Sequence, residues 1–197
     1  MYEIELRALV DNFDLIKSKL DKFEKKEADK REATIFFINP HKDDFELRLR
    51  LEKGRSYLSF KEGHHKSARK EIELDISNPE AMYRLLLASG FTIKMIVARV
   101  KYTYCHKDFE ILLNCVINWG DAVEVEKIVE NEKDSENVEA EIENFIKEEL
   151  GLKLLAKEKL KEMNKEYCEK IDFEKISVLD LLDYVQEKRD INFISSI

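Results

Sequence analysis

The sequence predicts an α+β fold, with a large antiparallel β-sheet followed by a helical C-terminal third. Up to about residue 130, short segments alternate apolar and charged residues with a period of two, which is typical of strands. Breaks that contain Gly or other turn residues separate these segments, as in a meander. From Ser135 onwards the apolar residues instead recur at helical spacing. We therefore expect a sheet core over residues 1–130 and a helical extension over residues 131–197 that packs on it within the same domain.

The individual elements follow from these two periods. The expected strands cover residues 2–8, 33–40, 45–52, 56–61, 69–76, 92–104, 107–117 and 121–130. The expected helices cover residues 11–26, 77–90, 135–168 with a break at Gly151, and 177–185. Pro79 suits the first turn of the second helix and Gly90 suits its end, whereas Ser177 can cap the start of the last helix.

Composition limits the classes of function. With 44% hydrophobic residues among 197, the chain can bury a core, and 39% of its residues are charged, giving a net charge of −8. The acidic balance argues against nucleic acid and anionic membranes as partners, and no apolar run approaches the length of a membrane-spanning helix. The spacing of Cys105, Cys115 and Cys168 fits neither a disulfide framework nor a metal site, so we expect free thiols in a cytoplasmic protein.

Charged residues on one face of nearly every expected strand form the main functional signal. They are Glu3, Glu5, Arg7, Glu46, Arg48, Arg50, Glu52, Lys61, Arg69, Glu71, Glu73, Asp75, Arg99, Lys101, Glu110, Glu124 and Glu126. An open sheet with one solvated face predicts the same alternation. The stripes, however, contain mostly Arg, Lys and Glu, and eight strands are enough to close a barrel. The pattern alone leaves two alternatives open: a solvated face, or a closed or nearly closed eight-stranded antiparallel β-barrel with a polar, charged lumen.

A charged lumen would have a definite chemistry. Glutamates at alternate positions of neighbouring strands offer the hard oxygen ligands that Mg²⁺ or Mn²⁺ prefers. Clustered Arg and Lys suit a chain of phosphates, to which Arg binds through bidentate forks. Because unpaired buried charges are costly, such a lumen needs metal, anion and water. A polyphosphate ligand bound together with a divalent metal meets that requirement.

A series of short motifs resembles a known family. The opening "EIELR" resembles the ExExK signature of the CYTH superfamily, the triphosphate tunnel metalloenzymes. The resemblance continues in order through "LRLR", "LSFK", "ARKEIEL", "LLASGF", "ARVKYTY" and "WGDAVEVE", and it covers residues 2–130. It implies an eight-stranded antiparallel tunnel, a divalent metal and a substrate that carries a triphosphate. The stretch "FFINPHKDDFELRLR" is most similar to the class IV adenylyl cyclase-like branch.

The resemblance also implies roles for individual residues. Its metal ligands correspond to Glu3, Glu5, Glu124 and Glu126. Its triphosphate-binding positions correspond to Arg7, Arg48, Arg50, Lys61, Arg99 and Lys101. Glu5, Arg7 and Glu126 stand at the catalytic positions, and Glu71 and Glu73 match a second acidic pair that orients the bases or helps to bind a second metal.

Three functions are compatible with these residues. The first is a metal-dependent enzyme of the class IV adenylyl cyclase type, which uses Mg²⁺ or Mn²⁺ to convert ATP to cyclic AMP and pyrophosphate. The second is a hydrolase of inorganic tripolyphosphate or of a nucleoside triphosphate. The third is a module that binds polyphosphate or nucleotide without turning it over. In all three, the expected partner is a small molecule that carries a triphosphate.

The chain departs from the family pattern at three positions. The signature lysine is Arg7, which keeps the charge but hardly ever deprotonates and so is no proton-transfer group. The acid often found on the penultimate strand is Asn114, and the tyrosine that thiamine triphosphatases pair with their lysine falls near Phe36. Thiamine triphosphatase is therefore the least expected activity, and a weak or lost catalyst that only binds its ligand stays open.

Other features have ordinary explanations beside functional ones. We expect His64 and His65 to be exposed loop residues and not a metal site. Trp119 either packs against its neighbours or stacks on a base at the tunnel mouth. The C-terminal helices are expected to cover the outer apolar wall, because exposed Leu and Ile would aggregate. The alternative is a dimerisation arm, which would make the protein a homodimer.

Overall fold

A computed structural model describes residues 2–62 and 71–191 of the chain. Its strands are β1 (Tyr2–Leu9), β2 (Glu24–Asn39), β3 (Lys42–Glu52), β4 (Arg55–Glu62), β5 (Glu71–Asp75), β6 (Thr92–His106), β7 (Phe109–Val116) and β8 (Gly120–Val129). Its α-helices are α1 (Phe13–Leu20), α2 (Pro79–Ala88), α3 (Ser135–Asn144), α4 (Lys157–Lys170) and α5 (Val178–Val185). A π-helical turn, Phe145–Leu150, continues α3. Among the described residues, no helix is both long and apolar enough to cross a membrane.

The strands form one large sheet in the order β1-β8-β7-β6-β2-β3-β4-β5. The pairs β1/β8, β7/β8, β2/β3, β3/β4 and β4/β5 are antiparallel. The expected α+β class with a large antiparallel sheet is therefore confirmed. In the described part of the chain the order begins at β1 and ends at β5, so hydrogen bonding alone does not close the sheet into a ring.

The chain divides into two compact units that interleave in sequence. Unit 1 contains residues 1–29 and 100–164, and unit 2 contains residues 30–99 and 165–197. The strands β2 and β6 and the helix α4 each contribute residues to both units. Neither unit is therefore a continuous stretch of sequence.

The core of unit 1 lies between its strands and the helices that follow them. Apolar residues on one face of β1, β7 and β8 pack with α1, α3 and the π-helical turn, and include the fully buried Ile111, Leu113, Val123, Val125, Ile142 and Ile146. The segment after this turn meets the outer edge of β1, where the Leu155 amide donates to the Arg7 carbonyl at 2.7 Å. The backbone of Arg7 is thereby held from both sides.

The core of unit 2 lies on the apolar face of β2 and β3. Its fully or nearly fully buried residues include Ala33, Ile35, Phe37, Leu49, Leu51, Ile96, Ala98, Leu181 and Val185. Ser177 caps the start of α5, as the sequence predicts, and the structure adds a reciprocal hydrogen bond from Asp180 that completes a capping box. The side chains of Ile72 and Leu74 on β5 remain exposed, although their alternation predicts a buried face.

One element differs clearly from the expectation. The sequence predicts a helix to about Lys26, but α1 ends at Leu20 and β2 begins at Glu24. The stretch from Glu24 to Glu32 is almost entirely charged, so it carries no apolar alternation that would indicate a strand. Its place between β6 and β3 in the sheet order, a long-range pairing, determines its conformation instead.

Candidate active site

One face of β1, β8 and β7 gathers carboxylates in unit 1. In the register of these strands, Glu5 lies opposite Glu126, which also lies opposite Glu110, and Arg7 lies opposite Glu124. Directly opposed residues project to the same side of a sheet. We call this surface the acidic face: it consists of Glu3, Glu5, Arg7, Glu110, Glu124 and Glu126. The other side of the same strands is the apolar core, so these charges project away from it.

Two cations partly compensate the acidic face. The Arg7 Nε lies 2.5 Å from Glu5 Oε1 and 3.2 Å from Glu124 Oε1. Burial works against charge on Arg7, but Glu124 and Glu5 more than offset it, so the pKa of the guanidinium is raised. Lys26 Nζ lies 2.8 Å from Glu110 Oε2. Within the described part of the chain, Arg7 and Lys26 thus form ion pairs with three of the five carboxylates, which are Glu5, Glu124 and Glu110.

Repulsion among these carboxylates affects the pKa of Glu126. Its half-buried carboxyl loses hydration and is repelled by Glu3, Glu110 and Glu5, which together raise its pKa from 4.5 to about 8. A divalent cation relieves such repulsion, and carboxylate oxygens are the donors that Mg²⁺ and Mn²⁺ prefer. Within residues 2–62 and 71–191, however, no three His, Cys, Asp or Glu side chains already stand in an arrangement that could hold a metal ion. The donor set fits a metal, and the side chains would have to converge on it.

Asn114 on β7 is a buried polar group on the same face. It lies opposite Ala122 and is only 1% exposed. Neither its amide nitrogen nor its amide oxygen forms a hydrogen bond within the described structure. Because buried polar groups are almost always paired, an orphaned amide indicates a place for a water molecule or a ligand group.

A second charged face belongs to unit 2. Arg48 lies opposite Phe36 on β2 and Ser59 on β4, and Arg50 lies opposite Thr34 and Tyr57 in the same way. We call this surface the basic face. It consists of Arg48, Arg50, Lys61 and Arg99 with the acids Glu32, Glu46 and Glu52.

The arginines of the basic face are held in fixed orientations. Arg99 Nη2 donates to Glu32 Oε1 at 2.8 Å, and Glu32 is only 1% exposed. Arg48 forms an ion pair with Glu46, and its guanidinium lies 5.0 Å above the centre of the Phe36 ring. Fixed guanidinium planes are the geometry that bidentate phosphate binding requires.

A family model for the CYTH domain matches residues 1–162. The chain belongs to the CYTH family. The resemblance read from the motifs is thereby confirmed. A search among curated proteins gives no match.

Solved structures share the CYTH fold of this chain. The PH1012 protein from Pyrococcus horikoshii OT3 is 26% identical with a TM-score of 0.64, and the match covers 77% of this chain and 91% of that one. A candidate adenylate cyclase from Vibrio parahaemolyticus is 16% identical with a TM-score of 0.68, covering 84% and 98%. HpAC1 from Hippeastrum, described as an adenylyl cyclase candidate with a dominant triphosphatase activity, is 19% identical with a TM-score of 0.56, covering 80% and 93%.

The CYTH domain brings most of the expected site residues together within the two faces. The four expected metal ligands and Arg7 lie on the acidic face, and Arg48, Arg50, Lys61 and Arg99 lie on the basic face. Lys101 is half-buried on β6. Glu73 instead forms an ion pair with the exposed Arg55 at 3.4 Å. The side chain of Glu71, and residues His64 and His65, lie outside the described part of the structure.

Several residues of these faces were not among the expected site residues of this CYTH domain. Glu110, Glu32 and Tyr57 all contact expected site residues or contribute to their charge. Strand parity was an available signal for Tyr57, which occupies the same face of β4 as the expected Lys61. Glu110 and Glu32 lie on β7 and β2, which carry no expected site residue, so only the pairing of strands places them on these faces. Trp119 is half-buried and donates its indole N–H to Asn164 at 2.9 Å, which agrees with a packing role.

The Asn114 amide, which is buried without a hydrogen-bond partner in the described structure, leads to a prediction about the free energy of unfolding. Replacing it by leucine, which has the same branching, removes a buried polar group without a partner, so we expect the free energy of unfolding to rise by about 1 kcal/mol. Ligand binding should weaken at the same time if a ligand group uses this amide. Chemical denaturation measures the first effect and calorimetry the second. A clear loss of stability would show that the amide is satisfied in solution and that this assignment is wrong.

Proposed function

We propose that this CYTH domain is a divalent-metal-dependent enzyme that acts on triphosphates, in the first instance as an adenylyl cyclase. The single observation that carries the proposal is that one CYTH domain contains both a face whose carboxylates repel one another and a face whose arginines are held in fixed orientations. The first suits a divalent metal and the second suits phosphates. We include in the proposal the closed tunnel with a polar, charged lumen that the family resemblance implies.

The residues of the basic face would bind and orient the substrate. Arg48, Arg50, Lys61, Arg99 and Lys101 would take the phosphate oxygens, with Arg7 adding its charge from the acidic face. Arg7 stabilises charge but carries no proton, because a guanidinium hardly deprotonates. Its ion pairs with Glu5 and Glu124 fix where that charge stands.

The residues of the acidic face would hold the metal. Glu3, Glu5, Glu124 and Glu126 would supply its oxygen ligands, and a bound Mg²⁺ or Mn²⁺ supplies Lewis-acid stabilisation of the charge on the phosphates. In the cyclase reaction the ribose 3′-oxygen bonds to the α-phosphorus, the bond from that phosphorus to pyrophosphate breaks, and the hydroxyl proton is released. The Vibrio neighbour, described as a candidate adenylate cyclase, supports this reaction.

A triphosphatase is the second candidate function. The Hippeastrum neighbour, described as having a dominant triphosphatase activity, favours this function. In a triphosphatase, water is the nucleophile that attacks the phosphate. Both reactions would use the same phosphate-binding residues and the same metal ligands. They differ in the nucleophile, which is the 3′-hydroxyl in one case and water in the other.

One incubation tests the proposal. The purified protein is mixed with ATP or tripolyphosphate in the presence of Mg²⁺ or Mn²⁺, and cyclic AMP, pyrophosphate and orthophosphate are measured. Cyclic AMP with pyrophosphate supports the cyclase, and orthophosphate supports the triphosphatase. Tight binding without any product indicates a binding module. Neither binding nor product with either ligand would overturn the proposal.

A further inference from the structure

Tyr57 links Arg50 of the basic face to the half-buried acid Glu52. It stands on β4 in the same strand face as Ser59 and Lys61, and it lies directly opposite Arg50 on β3. We propose that Tyr57 is a positioning residue that orients the Arg50 guanidinium for a phosphate group. This inference rests on the proposed function, since it assumes that Arg50 binds phosphate.

The hydroxyl of Tyr57 has two directional contacts. It accepts a hydrogen bond from Arg50 Nη1 at 3.2 Å and donates one to Glu52 Oε1 at 3.2 Å. The other carboxylate oxygen of Glu52 lies 2.5 Å from Lys30 Nζ. A chain of contacts thus joins Arg50 through Tyr57 and Glu52 to Lys30.

The ring of Tyr57 is fixed as firmly as its hydroxyl. The residue is only 4% exposed, so little of the side chain is open to bulk water. The guanidinium of the exposed Arg55 lies 4.1 Å from the ring centre, and Arg55 Nε donates to Asp75 Oδ1 at 2.8 Å. A ring covered by a cation in this way has little freedom to rotate out of its place.

The neutral state of the Tyr57 hydroxyl fixes the direction of its two hydrogen bonds. Burial raises the pKa of its hydroxyl above the ordinary value of 10.0, so the group stays neutral at physiological pH. A neutral hydroxyl has a single hydrogen to donate. Because Glu52 can only accept, that hydrogen is committed to Glu52, and the lone pairs of the oxygen are left to face Arg50.

The hydrogen bond to Tyr57 restrains the long side chain of Arg50 before a ligand binds. A free arginine loses much rotamer freedom when a ligand fixes it. Because Tyr57 already fixes one of the five N–H donors of Arg50, phosphate binding has less freedom to remove. Loss of the hydroxyl should therefore weaken phosphate binding while the fold persists.

The test is the Tyr57→Phe variant, which removes only the hydroxyl. Calorimetry with inorganic tripolyphosphate is expected to give a Kd about five-fold higher than that of the wild type, with a melting temperature within a few degrees. In an Arg50→Ala background, the same substitution is expected to leave Kd unchanged. Tyr167→Phe is the matched control, because its buried hydroxyl donates to the Ile96 carbonyl at 2.8 Å, so it should lower the melting temperature and not affect Kd.

The outcomes separate this inference from the proposed function. A wild type that binds tripolyphosphate, with a Tyr57→Phe variant of equal Kd, overturns the inference alone, even if the variant melts earlier. Equal weakening with and without Arg50 also overturns it, because Tyr57 would then act by another route. A wild type that binds neither tripolyphosphate nor ATP overturns the proposed function, and the inference falls with it.

Discussion

The Glu126→Gln variant is expected to lose metal-dependent turnover by about 100-fold or more and, without metal, to be more stable than the wild type at alkaline pH. The loss of turnover follows from the proposed role of Glu126 as a metal ligand, since an amide carries no charge to balance the metal. The gain in stability follows from the repulsion that raises the pKa of Glu126. Glutamine has the same shape and avoids this repulsion.

The pH dependence of that gain has a definite sign. The pKa of Glu126 is about 8 in the folded protein against an ordinary value of 4.5. Below about pH 4.5 the carboxyl is protonated in both the folded and the unfolded state, so it costs no stability. Between the two values only the unfolded state loses its proton, so the wild type is progressively destabilised, and above pH 8 the full cost is present. The melting temperatures of variant and wild type, measured in a chelator, should therefore diverge from pH 5 to pH 9.

A matched control distinguishes this effect from a general loss of acid charge. Glu139 on α3 is exposed, so Glu139→Gln should change neither turnover nor the pH dependence of the melting temperature. Unchanged turnover of Glu126→Gln at both limiting and saturating metal would contradict the role of Glu126 as a ligand. A constant gap in melting temperature across the pH range would show that Glu126 titrates normally.

The Arg50→Ala variant is expected to bind triphosphate about 10- to 100-fold more weakly, while its melting temperature falls by only a few degrees. Hydrogen bonds between a guanidinium and a phosphate are charge-assisted, and they disappear with the side chain. Arg50 is half-buried, and it lies on the charged side of β3, whereas Leu49 and Leu51 on the other side of that strand are fully buried in the apolar core. Calorimetry with tripolyphosphate and thermal denaturation measure the two effects separately.

Arg99, which also lies on the basic face, is expected to affect stability more than Arg50 does. Its partner Glu32 is 1% exposed, and removing one member of a buried ion pair typically costs 3–5 kcal/mol. Arg99→Ala should therefore lower both affinity and stability, and Arg84→Ala, at an exposed position of α2, should lower neither. If Arg50→Ala unfolds the protein but the folded fraction binds triphosphate normally, Arg50 has a structural role only.

Much of the fold could be predicted because strand alternation encodes which side of the sheet each residue occupies. In β3, Leu47, Leu49 and Leu51 alternate with Glu46, Arg48 and Arg50, and the structure places the first set in the core and the second on the basic face. The local pattern fails where pairing is imposed from a distance. The charged first half of β2 shows this, because nothing in residues Glu24–Glu32 encodes the strands beside it.

The site could be predicted in its residue types and only partly in its contacts. Alternation and the family motifs selected Glu5 and Glu126, but the raised pKa of Glu126 depends on the register of three strands, which places Glu110 beside the same pair. Tyr57 was overlooked for a related reason. Its parity was visible, but its contacts with Arg50 and Glu52 depend on how β3 and β4 are aligned.

The interleaving of the two units has a consequence for biosynthesis. Tyr2 pairs with Val129, and the outer edge of the first strand is met only by residues near Leu155, so both neighbours of that strand are translated long after it. Until then Ile4 and Leu6 have no core to enter. A topology dominated by such distant pairings folds slowly, and the nascent N-terminus is the segment that chaperones would have to shield on the ribosome.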